Sequence, residues 1–109
     1  MISNKTPYFI SITAKMMELL HSYDIPFTVG PCFDGFQFRF PWTEGDCIIH
    51  SFSHSHNHGY IETYNFIWDD DNISIWKIEE IIPLLYALYN HKNIENELNK
   101  IKLHRLYNN

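Results

Sequence analysis

Four histidines fall within nine residues, in the run His50-Ser51-Phe52-Ser53-His54-Ser55-His56-Asn57-His58-Gly59. Neutral imidazole is the commonest protein ligand for zinc and its neighbours, so the chemistry these residues suggest is metal ligation. All four positions are even. On an extended chain successive side chains alternate faces, which would send all four imidazoles to one side. His54 and His56 form a period-two pair that could chelate from one strand end. His58 or His50 would complete a tetrahedral set, and Cys47 is a further ligand if a bulge turns it over. Zinc is the expected metal, although imidazole also suits other transition ions. Two plainer readings stand beside this one: a hairpin loop whose histidines simply face water, and a patch that titrates near about pH 6.5.

A bound metal can be structural or catalytic. The fragment His54-Ser55-His56-Asn57-His58 superficially resembles the H-x-H motifs of metallohydrolases. The HExxH pattern is absent, however, and no separate Asp/His cluster lies outside the run. A binding protein is therefore expected in preference to an enzyme.

The acids Glu44, Asp46, Glu62, Asp69, Asp70 and Asp71 are the second candidate group, flanking predicted strand ends and turns. Carboxylates at this density can occupy a basic groove on a partner. Solvated turns also use them, and the spaced calcium-loop pattern is missing. Cys32 and Cys47 would need an oriented imidazole to serve as nucleophiles. No orienting residue is identifiable, so buried reduced thiols are expected. Trp42, Trp68, Trp76 and most tyrosines are expected in the core, with Tyr86 and Tyr89 leaving one helix flank for an interface.

These groups must be positioned by a small set of elements. Ile12, Met16, Leu19 and Leu20 recur at helical spacing and predict a helix over 9–23, stopped by Ile25-Pro26. Gly30-Pro31 and Gly35 mark a connector. Alternation in Phe36-Gln37-Phe38-Arg39-Phe40 predicts a strand. Further strands are expected over 47–52 and 60–68, with the histidine run as the hairpin between them, and a short fourth over 73–76. A helix from about Ile78 carries Glu79 and Glu80 in its first turn, with Pro83 expected to kink it or mark a late start. Asn93 should cap a last helix. The expected core is Ile12, Met16, Leu19, Phe36, Phe38, Phe40, Ile48, Phe66, Ile81, Leu85 and Leu98. The fold class expected is α+β: one domain over 1–109, an antiparallel sheet of three to four strands, an N-terminal helix and two C-terminal helices.

Composition bounds the function. The 109 residues suffice for a core without disulfides. A net charge of −5, from 13 acids and 8 bases, disfavours direct nucleic-acid binding and favours a protein partner with a basic surface. No apolar run approaches a membrane span and no secretory signal is recognisable, so a cytoplasmic protein with reduced cysteines is expected.

The length, the acidity, the single α+β domain without an enzyme motif and the run from His50 to His58 together resemble small phage-encoded anti-CRISPR proteins that inhibit Cas9, the type II-A class. The resemblance implies a stoichiometric inhibitor that blocks target-DNA loading, acting in the cytoplasm of a bacterial host. It implies a structural metal that pins a loop. That class shares no common motif, so no residue roles carry over. Two alternatives remain: a metal-dependent phage hydrolase or nuclease, and a phage structural or assembly protein.

Overall fold

The structure, a computed structural model, describes residues 2–50, 61–69 and 75–108. Helix α1 spans Thr6–Ser22 and buries Phe9, Thr13, Met16 and Leu20, a four-three-four spacing that lines one face. It starts three residues before the expected Phe9. Pro7 fits the first turn, where no amide hydrogen is required. Ser3 Oγ donates to Asp34 Oδ2 at 2.7 Å and Thr6 Oγ1 donates to the Asp34 carbonyl at 2.9 Å, tying this entry turn to the sheet. The helix ends with Asp24 in the left-handed region (φ 55°), and Ile25 N–H closes back on the Leu20 carbonyl at 3.0 Å.

Five strands follow: β1 Thr28–Cys32, β2 Gly35–Arg39, β3 Asp46–Ile49, β4 Ile61–Tyr64 and β5 Ile75–Trp76. They form an antiparallel meander in sequence order. The expected class is therefore present, with five strands among the described residues in place of three to four. The added strand is β1, in the segment read as a connector. Gly30 and Pro31 lie within it because it is an edge strand, where a residue lacking an amide hydrogen is tolerated. Phe33 and Asp34 make the tight turn into β2, and Phe33 takes φ 54°. Gly35 is required by close approach: a Cβ there would lie 1.8 Å from the Ile49 carbonyl oxygen.

Helix α2 spans Ile78–Tyr89 and α3 spans Ile94–Tyr107. Pro83 does not end α2. Its ring lies on the exposed side, and only the bond to the Glu79 carbonyl is forfeited. Asn93 caps α3 as expected, accepting from Asn96 N–H at 3.1 Å. Both α1 and α2 pack on one face of the sheet. There Met16, Leu20, Ile81, Leu84 and Leu85 meet Phe38, Cys47, Ile49, Ile61 and Trp76. Met16, Phe38, Phe40, Phe66, Ile81 and Leu85 of the expected core are buried, while Ile12, Leu19, Phe36 and Leu98 pack at its margin. Ile48 differs: strand alternation puts it on the second face, half-buried.

Candidate functional site: the second face of the sheet

Alternation on β2, β3 and β4 sends every other residue away from the helices. Gln37, Ile48, Glu62 and Ile75 form one rank across the ladder, and Arg39, Asp46 and Tyr64 the next. Gln37 Nε2 donates to Asp46 Oδ2 at 2.6 Å. The Tyr64 hydroxyl donates to Glu62 Oε1. Burial, followed by that hydrogen bond and by the Glu62, Asp46 and Asp69 charges, pushes the Tyr64 phenol up to about 12. Asp46 Oδ1 is buried without a hydrogen-bond partner among the described residues.

His50 stands one residue beyond β3. It is only 7% exposed and packs edge-on against the Phe33 ring, with centroids 5.1 Å apart. Burial lowers its pKa from the usual value, against the opposing pull of Asp34 and Glu62. This shift favours the uncharged imidazole, the form that a metal accepts. Asp34 and Glu62 act on this imidazole through their charge, while Asp34 accepts a hydrogen bond from Ser3 and Glu62 one from Tyr64. His54, His56 and His58 lie outside the described residues. Among the described residues, no group of three or more His, Cys, Asp or Glu side chains is placed to hold a metal ion.

Cys47 does not suit a ligand set built around His50. The register runs unbroken through Cys47, which faces Phe38 and Thr63 in the core, so the bulge needed to turn it over is absent. Burial, reinforced by Asp46 and Asp69, raises its thiol pKa well above the usual value and disfavours the thiolate that a metal needs.

The six acids separate into distinct roles. Glu44 is exposed. Asp69 is structural: it accepts from Thr63 Oγ1 at 2.7 Å and from Phe66 N–H at 2.9 Å, and so closes the turn after β4. Thr63 Oγ1 in turn accepts from the Trp76 indole at 2.9 Å, a buried polar hub between strands. Glu62 is 2% exposed, bound by Tyr64, and so is not a free surface charge. Asp46 is half-buried beside Gln37, while Asp70 and Asp71 lie outside the described residues.

Charge is nonetheless unevenly spread. Residues 25–76 carry Asp34, Glu44, Asp46, Glu62, Asp69, Asp70 and Asp71 against Arg39 alone, a net of −6 within a chain of −5. The sheet region therefore holds all of the excess acidity, and the helices are close to neutral.

Comparison with family models, with curated proteins and with solved structures finds no match to this chain. Among the described residues, no helix is long and apolar enough to cross a membrane.

Reasoning from sequence missed Asp34, Gln37 and Tyr64. For Asp34 the Asp34-Gly35 pair signals a turn, but its place near His50 follows only from the pairing of β2 with β3. Gln37 and Tyr64 join the site only through cross-strand register, which a single sequence does not fix.

Proposed function

We propose that the protein is a stoichiometric inhibitor of a bacterial defence nuclease, with Cas9 as the target. In this reading its sheet region docks on a basic surface and blocks target-DNA loading in the host cytoplasm. The observation that carries the reading is the concentration of seven acids against Arg39 over residues 25–76. Cas9 presents positively charged channels for guide and target strands, and a region of net negative charge is complementary to such a channel. The choice of Cas9 among basic partners rests on the resemblance alone.

In the same proposal a zinc ion is held by His50 with His54, His56 and His58, and it pins the β3–β4 connection that the partner meets. The burial of His50 against Phe33, which lowers its pKa, supports this, while Cys47 is left out of the ligand set. The ion would supply rigidity to the loop, and the protein's own acids would supply the recognition.

The test is a titration of Cas9 target-DNA cleavage with untagged protein. Loss of cleavage near equal molar amounts is expected, weakening as salt rises. Reversing Glu44, Asp70 and Asp71 to lysine should slow association more than it lowers stability. Asp69 is left untouched because its hydrogen bonds belong to the fold. Cleavage that persists under excess protein across several Cas9 orthologues would overturn the target, and metal-dependent turnover of a nucleotide or ester would replace it with a hydrolase.

A further inference from the structure

We infer that two copies of this chain associate through α3, each placing the C-terminal part of its α3 in a groove that runs along α2 of the other. The inference is independent of the sheet face and of the histidine run.

The groove comes first. One side of α2 is left uncovered between the end of α1 and the start of α3. It forms a depression of about 430 Å³ with an apolar floor of Leu19, Tyr23, Ile82, Pro83, Tyr86 and Ala87. A second depression of about 360 Å³ shares Glu79, Pro83 and Glu97 with the first and extends it along α3 to Ile101 and His104. The two make one trough. The α2 positions that line it, from Glu79 to Ala87, span ~12 Å of helix, room for about two turns of a second helix. Glu79 and Glu97 stand on its rim. Lys92, the base at its far end, lies 5.5 Å from the Tyr86 ring centroid.

The occupant is the second observation. Helix α3 buries no residue fully, and it turns Ile94, Leu98 and Ile101 toward the core. Leu103, Leu106 and Tyr107 remain 54%, 69% and 80% exposed. Their i, i+3, i+4 spacing is the anchor pattern by which a helix enters an apolar groove. Packing within the chain accounts for none of the three.

Charge selects a second copy as the partner. Within α3 the acids Glu95 and Glu97 precede the bases Lys100, Lys102 and Arg105, and residues 98–109 contain no acid. This segregation complements the helix's own dipole. It also makes an antiparallel second α3 complementary along its length, with Lys102 of one copy facing Glu97 of the other. The arrangement is twofold and self-complementary, so it closes as a dimer. Leu103, Leu106 and Tyr107 then enter the apolar floor of the partner's groove. The internal Glu97–Lys100 pair, at 3.4 Å and exposed, contributes little and yields readily to the intermolecular pairing.

Sedimentation equilibrium of the full chain tests this. A reversible dimer is expected, weakened by salt. Monomer throughout the accessible concentration range would overturn the inference. Leu103→Asp with Tyr107→Asp should raise the dissociation constant at least about tenfold while leaving circular dichroism and thermal unfolding of the monomer unchanged. A dimer indifferent to that pair would also overturn it. Glu97→Lys and Lys102→Glu should each weaken association, and the double exchange should restore it. Absence of restoration would overturn the antiparallel pairing.

Discussion

Arg105, in the last turn of α3, grips Glu80, in the first turn of α2, through two 2.8 Å hydrogen bonds. Arg105 Nη2 also donates to the Ile75 carbonyl at 2.9 Å, and the guanidinium lies 5.0 Å from the centroid of the Trp76 ring. One side chain therefore ties α3 to α2 and to the β5 edge strand. Glu80 meanwhile accepts from Lys77 N–H at 2.9 Å, capping α2.

Arg105→Ala should cost about 2 kcal/mol, because it removes charge-assisted bonds to a largely buried carboxylate. Acid titration gives a second readout. Burial by itself would raise the Glu80 pKa, but the Arg105 and Lys77 interactions outweigh it and hold the carboxyl below its ordinary 4.5. A depressed carboxyl contributes stability that is fully present above the unfolded value and is lost as pH falls through the folded one. Stability of the native chain should therefore decline more steeply below pH 4.5 than that of Glu80→Gln. Parallel acid limbs in the two proteins, measured by urea unfolding, would remove this role.

The elements with strong periodicity were legible in the sequence: α1, β2, α2 and α3 all lie where the spacing predicts them. The failures have definite causes. Strand β1 was hidden because Gly30 and Pro31 signal a turn, and only its place at the sheet edge makes them acceptable. Strand β4 stops at Tyr64, short of the expected 68, since Asn65 takes φ 63° and the Asp69 carboxylate folds 66–69 into a turn. At the candidate site the even parity of the histidine run was visible, and His50 lies beside the second face. The burial of Glu62 and the structural duty of Asp69 were not visible, because acidic residues look alike in a sequence whether they meet solvent or a hydroxyl.

The two thiols should differ sharply in reactivity. Cys47 is fully buried with its thiol pKa pushed well up, whereas Cys32 is partly accessible and its thiol pKa is raised less. Native protein should therefore react with one equivalent of a thiol reagent, at Cys32, and with two after denaturation. Rapid native labelling of Cys47 would mean that β3 is not paired as described. Metal content should likewise survive Cys47→Ala.

Tyr64 gives an alkaline signature. Its phenol is raised from an ordinary 10.0 to about 12, with burial and the Glu62 hydrogen bond as the main causes. A group raised in the folded state contributes stability below the unfolded pKa, and that contribution fades as pH rises through the folded one. Ultraviolet titration should show a late phenol phase from Tyr64, and stability should fall between pH 10 and 12. Tyr64→Phe should lose the late phase and cost about 1 kcal/mol for the hydrogen bond to Glu62. A late phase that persists in the variant would assign it to another tyrosine.

The metal prediction follows from how the core is built. Among the described residues, Met16, Leu20, Phe38, Ile49, Ile61, Trp76, Ile81 and Leu85 meet in one apolar cluster, and that cluster is expected to hold the fold without the metal. Purified protein should carry about one transition ion per chain, and His54→Ala with His56→Ala should abolish it. His50→Ala should weaken uptake as well, since among the described residues this imidazole is a candidate ligand held by packing against Phe33. Removal of the ion by a chelator should lower the unfolding temperature yet leave far-ultraviolet circular dichroism nearly unchanged, because only the β3–β4 connection loses its restraint. Metal content unaltered in the His54/His56 double variant would sink the ligand assignment. Complete unfolding on chelation would show instead that the ion is part of the folding nucleus, and that the apolar cluster cannot hold the sheet and helices together without it.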